Sequence, residues 1–420
     1  MEIKLTKNSI KRDINIPPSK SVYHRALICA ALSGDTVNIT PCCESDDILA
    51  TVNCLRSIGV NIKQTDDGYI VSKGTIKRNA TLDCCECGST LRFMLPLCAA
   101  LGINAHFIGK EGLSKRPISP LDKILKENGV CITQTNPSLS LPVNISGKLN
   151  GSNYEVPGNI SSQYITGMLF AMSVIEKDSI LSITEEIQSA PYIDITVKML
   201  NEFGFQIDKL SDREYHISGK KASAPSIYNV EGDFSNGAFW LCAGAIAEKG
   251  RALKCKGFDF TSSQGDKKIV EILSDFGADI IIGDNNTTVI SNKLSALEID
   301  VSHIPDLVPV LAVVASVATG RTVFKNIERL RIKESDRVQS TVTMINSLGG
   351  NARADEHNIY INGVDKLTGG IVNSYNDHRI AMSAAIASTV CDGYVIIKEA
   401  QAVKKSYPDF FEKLYQYTKE

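Results

Sequence analysis

Apolar residues recur along the chain in two patterns that repeat together. In the first pattern, a run with apolar residues at helical spacing ends in Gly, and a short strand-like run follows. Gly is expected just past a helix end because it enters the left-handed backbone region without steric cost. These marker glycines recur every 70 to 75 residues, at Gly59, Gly129, Gly204, Gly277 and Gly349.

In the second pattern, a polar loop opens a long stretch that is rich in Ala and apolar on nearly every face. Stretches of this kind are typical of buried helices. Six of them recur at steps of 68 to 73 residues, counted from Ser21, Ser89, Ser162, Ser235, Asp306 and Asp377.

Alternating residues bounded by turn residues follow the marker glycines and predict pairs of short strands. The repeating unit is therefore a buried helix, a strand, an amphipathic helix and a strand pair, and six units fill the 420 residues. The sixth unit ends with the helix DFFEKLYQY and lacks its strand pair, whereas the N-terminal EIKLTKNSIKRDINI has the pattern of one. The repeat predicts two domains, residues 19–231 and residues 232–420 with 1–18.

The composition is that of a globular protein, with 43% apolar and 22% charged residues. A net charge of −2 provides no general attraction to nucleic acid or to anionic membranes, so neither partner is expected. No apolar stretch reaches the roughly 18 residues of a spanning helix, and the N-terminal residues lack the apolar core of a secretory signal. We expect a cytoplasmic protein whose twelve Cys are reduced.

One cysteine cluster, Cys84, Cys85 and Cys87 in DCCECGST, invites a metal-site interpretation. It has no second CxxC motif and no His at zinc spacing nearby. We therefore predict reduced cysteines in or beside a strand, and no metal site.

Charged residues stand at the polar starts of several buried helices, where free N–H groups and the helix dipole favour anions. A single Lys or Arg is usually a solvated surface residue, and Arg92 also fits a structural role in its loop. Cations at equivalent places in several units instead predict one or two pockets for a ligand with several negative charges. The candidates are Lys20, Arg25, Arg92, Arg116, Lys333, Arg337, His378, Arg379 and Lys405.

Two carboxylates stand among these cations. Asp306 begins the fifth buried stretch and fits either a helix N-cap or a general base; Glu334 fits either an ion pair or a general acid. The sequence contains no nucleophilic triad spacing, HExxH, P-loop or GxGxxG motif, so acid–base and charge-stabilisation chemistry without metal or organic cofactor is expected. Polar residues that complete the lining are Ser161, Ser162, Gln163, Ser189 and Tyr192.

The segment PPSKSVYHRALICAAL resembles the opening of the 3-phosphoshikimate 1-carboxyvinyltransferase (EPSP synthase) family. Further motifs follow in that family's order over nearly the whole chain: GSTLRF, KRPI, SSQYITGML, SAPYIDIT, IPDLVPVLA, RIKESDR, NDHRIAM and KKSYPDF. The resemblance implies an α/β (α+β) fold of two inside-out α/β barrel domains, each with three βαβαββ repeats, buried parallel helices and an active site in the cleft. The chain departs from the family in one loop, with Glu86-Cys87-Gly88 where many members have Asn-Ala-Gly or Asn-Ser-Gly, and with Phe93 after Arg92.

The resemblance implies transfer of the enolpyruvyl group of phosphoenolpyruvate to the 5-hydroxyl of shikimate 3-phosphate, through a tetrahedral intermediate that loses phosphate. This step belongs to the shikimate pathway, which leads to chorismate and the aromatic amino acids. The resemblance also implies a cofactor-free enzyme, which we expect to be a monomer. By resemblance, Asp306 accepts the hydroxyl proton, and Glu334, assisted by Lys20, exchanges the proton at C3.

The resemblance also assigns binding residues. Those for shikimate 3-phosphate are Lys20, Ser21, Arg25, Ser161, Ser162, Gln163, Ser189, Tyr192, Asp306 and Lys333. Those for phosphoenolpyruvate are Lys20, Gly88, Arg116, Gln163, Arg337, His378, Arg379 and Lys405.

Two alternatives stay open at the level of sequence. One is the sister enzyme that transfers enolpyruvyl to UDP-N-acetylglucosamine; its usual site has a reactive Cys on a loop of the first domain, and Cys87 is not on a recognisable copy of that loop. The other is a non-catalytic module that binds a sugar phosphate. Asp306 and Glu334 argue against that module, because binding anions requires no carboxylates among the cations.

Overall fold

Helices account for all six predicted buried stretches. The computed structural model describes residues 1–150, 153–221 and 223–418. Short 3₁₀ turns are Gly265–Lys268, Pro305–Leu307, Glu328–Ile332 and Ala400–Lys405. The α-helices are α1 (Lys20–Ser33), α2 (Asp46–Ser57), α3 (Gly88–Leu101), α4 (Glu111–Ser114), α5 (Leu121–Glu127), α6 (Ser162–Met172), α7 (Pro191–Glu202), α8 (Phe234–Ala245), α9 (Ile269–Phe276), α10 (Val308–Val317), α11 (Arg337–Ser347), α12 (His378–Ala387) and α13 (Phe410–Thr418).

Short strands connect these helices. They are β1 (Glu2–Leu5), β2 (Ile14–Asn15), β3 (Val37–Thr40), β4 (Asn61–Thr65), β5 (Gly68–Ser72), β6 (Asn79–Asp83), β7 (Asn104–Ile108), β8 (Val130–Gln134), β9 (Val143–Gly147), β10 (Asn153–Val156), β11 (Ser179–Ile183), β12 (Phe205–Ser211), β13 (Glu214–Lys221), β14 (Ile227–Asn229), β15 (Ala252–Lys256), β16 (Asp279–Ile282), β17 (Asn286–Ile290), β18 (Glu298–Asp300), β19 (Arg321–Lys325), β20 (Asn351–Ala354), β21 (Asn358–Asn362), β22 (Gly370–Asn373) and β23 (Val395–Lys398).

The chain divides into two compact units, unit A (residues 20–230) and unit B (residues 1–19 and 231–420). Each unit has its own hydrophobic core. The buried helices are α1, α3 and α6 in unit A and α8, α10 and α12 in unit B, and nearly every side chain on them is buried. The predicted arrangement, with helices inside, is confirmed.

The amphipathic helices end as their sequences predict. Each marker glycine has a positive φ, between 84° and 112°, a region that a side chain makes costly. A strand pair follows each of these turns, and the two strands pair antiparallel, as β4 does with β5 and β12 with β13.

Each unit carries three separate sheets, and no closed barrel forms among the described strands. The sheets of unit A have the strand orders β14-β3-β5-β4, β6-β7-β9-β8 and β10-β11-β13-β12. Those of unit B are β2-β15-β17-β16, β18-β19-β21-β20 and β22-β23-β1. In every sheet the first two strands are parallel and the next one is antiparallel, which is the βαβαββ unit repeated.

The prediction that the N-terminal segment forms a strand pair is wrong. Strand β1 pairs antiparallel with β23, and β2 pairs parallel with β15, so the two strands join different sheets. Each fills an open sheet edge: no described strand follows β23 along the chain, and none lies between residue 231 and β15. Edge positions of this kind leave backbone N–H and C=O groups unpaired until another segment supplies them.

Among the described residues, no helix is both long enough and apolar enough to span a membrane. All twelve cysteines lie in the described part of the chain and are free thiols.

Candidate functional site

The N-terminal ends of α3 and α6 lie together in unit A because Gly167 lets the two helices approach closely. A Cβ on Gly167 would lie 2.2 Å from the carbonyl oxygen of Arg92, a distance that real side chains do not reach. The N-caps of the two helices, Cys87 of α3 and Ser161 of α6, therefore lie at the same end of the helix pair. The free N–H groups of two helix starts make this end of the unit attractive to anions.

Arg92 and Gln163 tie these two helices together. Nη1 of Arg92 donates to Oε1 of Gln163 at 2.6 Å, and Nη2 donates to the carbonyl oxygen of Pro117 at 3.0 Å. Nε2 of Gln163 donates in turn to Oγ of Ser89 at 2.9 Å. Arg92 therefore has the structural role that its sequence left open.

Gly88 leaves room for two guanidinium groups. A Cβ on Gly88 would lie 2.8 Å from Nη1 of Arg116 and 2.9 Å from Nη1 of Arg92. Arg116, predicted to bind phosphoenolpyruvate, is thus packed against the first residue of α3. Two cations beside a helix N-terminus form a site suited to a phosphate or a carboxylate.

Arg25 lies on α1, and its side chain is buried against α7. Its Nε donates to Oγ1 of Thr196 at 2.8 Å, Nη2 to the carbonyl oxygen of Tyr192 at 3.0 Å, and Nη1 to that of Ser21 at 2.7 Å. Its guanidinium carbon lies 5.3 Å from the ring centroid of Phe93. Burial lowers the pKa of Arg25 to about 10, so the guanidinium keeps its charge at neutral pH.

Lys20 is the first residue of α1, and its ammonium is held by a carboxylate that sequence reasoning missed. Nζ of Lys20 lies 2.6 Å from Oδ2 of Asp47, near the start of α2. The sequence shows a helix start here, because Ser followed by acidic residues commonly opens a helix, but it does not show that Asp47 pairs with Lys20.

Arg337 organises unit B, where one guanidinium holds three carboxylates. Nη1 lies 2.6 Å from Oδ1 of Asp306, Nη2 lies 2.6 Å from Oε2 of Glu334, and Nε lies 2.8 Å from Oδ2 of Asp377. The Arg337 side chain is 1% exposed. These carboxylates raise its pKa further above the ordinary value, despite burial.

Asp306 is not the N-cap of the fifth buried helix, which corrects one of its two sequence interpretations. Helix α10 begins at Val308, and Asp306 lies in the preceding 3₁₀ turn without capping it. The two prolines, Pro305 and Pro309, account for the shift, since proline favours the first turn of a helix. The Asp306 side chain instead faces cations, at 3.3 Å from both Lys333 Nζ and Arg379 Nη2.

These cations set the protonation of the cluster. Burial acts to raise the pKa of Asp306, but the charges around it hold that pKa well below the ordinary value; they are, largest first, Arg379, Lys333 and Arg337. Burial, with Arg329 and Arg337 nearby, lowers the pKa of Lys333 to about 8, although Asp306 opposes this shift. Lys333 therefore titrates close to neutral pH.

The remaining cations of unit B lie at the start of α12 or against the loop before it. Nη2 of Arg379 donates to Oγ of Ser235 at 2.7 Å, and Lys405 Nζ donates to the carbonyl oxygen of Asn376 at 2.7 Å. His378 is 2% exposed. The sequence analysis predicts a binding role for these three residues but none for Asp377. Asp377 is the N-cap of α12 and binds Arg337.

Within each unit the structure thus brings the predicted residues together. Unit A assembles Lys20, Ser21, Arg25, Gly88, Arg116, Ser161, Ser162, Gln163, Ser189 and Tyr192 around the starts of α1, α3, α6 and α7. Ser162 and Ser189 are buried, and Ser189 has a φ of 56°. Unit B assembles Asp306, Lys333, Glu334, Arg337, His378, Arg379 and Lys405.

Comparison with known proteins identifies the family. The family model described as EPSP synthase (3-phosphoshikimate 1-carboxyvinyltransferase) matches residues 5–414. The chain belongs to the EPSP synthase family. A 3-phosphoshikimate 1-carboxyvinyltransferase of Clostridium perfringens is 42% identical over 412 residues, 97% of this chain and 96% of that protein. One of Clostridioides difficile is 41% identical over 423 residues, 98% and 96% of the two chains.

Two solved structures share the fold. EPSP synthase from Acinetobacter baumannii superposes with a TM-score of 0.82 at 24% identity, over 99% of this chain and 98% of that one. The enolpyruvyl transferase NikO from Streptomyces tendae does so with a TM-score of 0.78 at 16% identity, over 99% and 96%. At these identities the likeness bears on the fold alone.

Proposed function

We propose that this protein transfers the enolpyruvyl group of phosphoenolpyruvate to the 5-hydroxyl of shikimate 3-phosphate and releases phosphate. One observation carries the proposal: Asp306 and Glu334 are both bonded to the buried Arg337, among further cations. A fixed pair of carboxylates beside cations supplies the proton transfers and the charge stabilisation that this reaction needs. Family membership and the names of the relatives support the same substrates.

We propose that both units take part in binding. Both substrates carry a carboxylate and a phosphate, which the fork of Arg and the point charge of Lys recognise. In unit A the binding groups are Lys20, Ser21, Arg25, Gly88, Arg116, Ser161, Ser162, Gln163, Ser189 and Tyr192. In unit B they are Asp306, Lys333, Arg337, His378, Arg379 and Lys405.

Asp306 is the proposed general base, and the cations around it control its basicity. A carboxylate whose pKa lies far below neutral is a weak base. When a substrate anion takes over the hydrogen bonds of Lys333 and Arg379, Asp306 loses its two longer ion pairs and its pKa rises. Binding of the anionic substrate thus prepares the base for the hydroxyl proton.

The proposed reaction proceeds by addition and then elimination. The 5-oxygen of the acceptor attacks C2 of phosphoenolpyruvate as Asp306 takes the hydroxyl proton and Glu334, assisted by Lys20, donates a proton to C3. In the second half, C3 loses a proton back to Glu334 and the C2–O bond to phosphate breaks. The cations stabilise the negative charge that departs with phosphate.

We further propose that units A and B are the two enolpyruvyl-transferase domains expected at 19–231 and at 232–420 with 1–18. We also propose that the protein acts as a monomer. A cytoplasmic location fits the proposed substrates, which are small soluble anions.

The UDP-N-acetylglucosamine alternative is not favoured. It calls for a reactive Cys, and Cys87 is buried at the start of α3, where burial and the carboxylate of Asp47 raise the pKa of its thiol to about 12. The nucleophile in cysteine chemistry is the thiolate, which is scarce at neutral pH for such a group.

The acceptor is tested by phosphate release. We expect purified protein to release phosphate from phosphoenolpyruvate with shikimate 3-phosphate and without added metal. Equal release with UDP-N-acetylglucosamine would overturn the acceptor, and binding of shikimate 3-phosphate without any release would favour the non-catalytic module.

Lys333 gives the reaction a predicted pH dependence. Because its pKa is about 8, Lys333 is charged below that pH and neutral above it. A neutral amine no longer attracts the phosphate or carboxylate of the acceptor. We therefore expect kcat/KM for shikimate 3-phosphate, which reports the free enzyme, to fall as the pH rises through about 8.

Lys333→Arg provides the comparison, because Arg stays charged across this range. The fall near pH 8 should disappear in Lys333→Arg and persist in Lys325→Arg, a change at an exposed lysine on β19 that pairs with Glu298. The same fall in Lys333→Arg would assign the titration to another group.

A further inference from the structure

Three potential metal ligands meet in unit A beside the proposed substrate-binding residues. His24, Asp47 and Cys87 each offer a ligand atom, and these atoms all lie within 4.8 Å of one another. They come from three elements, since His24 lies on α1, Asp47 on α2 and Cys87 at the N-cap of α3. The packing of three helices therefore fixes their mutual distances.

The distance between the Cys87 and His24 ligand atoms is close to that in a tetrahedral zinc site. Sγ of Cys87 lies 3.9 Å from Nε2 of His24. In a tetrahedral zinc site, with Zn–S of about 2.3 Å and Zn–N of about 2.0 Å, the sulfur and nitrogen lie about 3.5 Å apart. A shift of a few tenths of an ångström brings the pair to that distance.

His24 is also oriented as zinc-bound histidines are. Its Nδ1 lies 2.7 Å from Oγ1 of Thr51, which lies 2.6 Å from Oγ1 of Thr90. With the proton of the neutral ring on Nδ1 and donated to Thr51, the lone pair of Nε2 faces Cys87. A hydrogen bond from the second ring nitrogen is what orients metal-ligating histidines.

We propose that His24 Nε2, Cys87 Sγ and a carboxylate oxygen of Asp47 bind one zinc ion and that this ion inhibits the enzyme. Nitrogen, sulfur and oxygen donors suit Zn²⁺, and three protein ligands leave a fourth position for water. The bound thiol releases its proton and coordinates as a thiolate.

The inhibition follows from Lys20. Asp47 now holds the ammonium of Lys20 at 2.6 Å, and a zinc ion on that carboxylate takes the place of this ion pair. Because the Cys87 thiol loses its proton as zinc binds, the net charge of the three side chains and the ion is zero, whereas Asp47 alone carries a negative charge before binding, so the attraction that holds the ammonium is lost. The metal thus acts on a residue that the proposed reaction uses at both substrates.

Cys87 lies in the segment Glu86-Cys87-Gly88, which leads into α3. The cysteine cluster in the sequence did not predict the site, because its other ligands come from residues 63 and 40 positions away and from different helices.

Cobalt provides the direct test, since a Co²⁺–thiolate bond gives a near-ultraviolet charge-transfer absorption. We expect this band when Co²⁺ is added to the full-length protein, its loss on adding one equivalent of Zn²⁺, and its absence in Cys87→Ser. Cys85→Ser, two residues away on the same loop, is the matched control and should keep the band. Ser is also a preferred N-cap, so Cys87→Ser retains the start of α3.

Zinc affinity, measured by competition with a chromophoric chelator, gives the magnitude. Loss of an outer-shell partner costs about 10–100-fold in metal affinity, so we expect this range for Thr51→Val and a larger loss for Cys87→Ser and Asp47→Asn. Wild-type zinc affinity in both Cys87→Ser and Asp47→Asn, or an unchanged cobalt band in Cys87→Ser, would overturn the site.

The inhibition rests on the proposed function and is measured separately. Phosphate release by the wild type should fall as Zn²⁺ saturates the site and return on chelation, while Cys87→Ser should be active and keep its activity with zinc present. Inhibition of equal strength in Cys87→Ser would overturn the inhibitory role. If no variant releases phosphate even without metal, the proposed function fails while the cobalt spectra still test the site.

Discussion

Replacing Arg337 with Ala will lower the free energy of unfolding by about 3–5 kcal/mol, the cost of removing one partner from a buried ion pair. The physical reason is that the guanidinium holds the carboxylates of Asp306, Glu334 and Asp377. Without it, Asp377, which is 0% exposed, is left as a buried anion with fewer donors. Turnover falls as well, because Asp306 and Glu334 lose the group that fixes their positions.

Urea denaturation of the full-length protein measures this loss of stability. The fluorescence of Trp240, the single tryptophan of the chain, reports the unfolding of unit B. Arg331→Ala is the control, because its side chain is 39% exposed and lies 3.7 Å from Asp336; surface pairs contribute about 0–1 kcal/mol. Arg337→Lys should also be destabilised, since one ammonium does not span three carboxylates. A wild-type unfolding midpoint in Arg337→Ala would show that the cluster does not depend on Arg337.

The second large effect is on catalysis. We expect Asp306→Asn to reduce kcat by about 10²–10⁴-fold, the contribution typical of a general acid or base. Asn has nearly the same shape and still accepts a hydrogen bond from Arg337, but it does not accept the hydroxyl proton. Binding of shikimate 3-phosphate should persist, since the surrounding cations stay in place.

Steady-state kinetics and calorimetric titration of shikimate 3-phosphate separate the two effects. Asp279→Asn, on the exposed edge of β16, should behave as the wild type in both assays. An unchanged kcat and unchanged binding in Asp306→Asn would leave Asp306 as an ion-pair partner alone. Lost binding with an unchanged kcat at saturation would make it a binding group that does not act as the base.

The repeat explains why so much of the fold was predictable. The buried helices are apolar all round, whereas the amphipathic helices are apolar on one face. The marker glycines stand where the backbone has a positive φ, which residues with a side chain disfavour. Both signals are local: the buried stretch recurs six times and the marker glycine five times, so each repeat supports the others. The N-terminal strands were mispredicted because sheet pairing depends on which edges are open elsewhere, and no local pattern records that.

The candidate site was predictable by residue type and less so by role. Cations at helix starts are visible in sequence, and Lys20 and Arg379 do lie there. The partners of these cations are not visible, because Asp47 lies 27 residues from Lys20 and Asp377 lies 40 from Arg337. The role of Asp306 was ambiguous because its contacts are also not visible in the sequence. An Asp beside prolines at a helix start looks like an N-cap until its side-chain partners are known.

In the proposed reaction the C2–O bond of phosphoenolpyruvate breaks, and the oxygen that bridges C2 and phosphorus reports this directly. With ¹⁸O at that position and shikimate 3-phosphate as acceptor, mass spectrometry of the products locates the label. We expect all of the label to leave in phosphate and the acceptor to gain an enolpyruvyl group. Label retained in pyruvate, with unlabelled phosphate released, would mean that the P–O bond breaks and would contradict enolpyruvyl transfer.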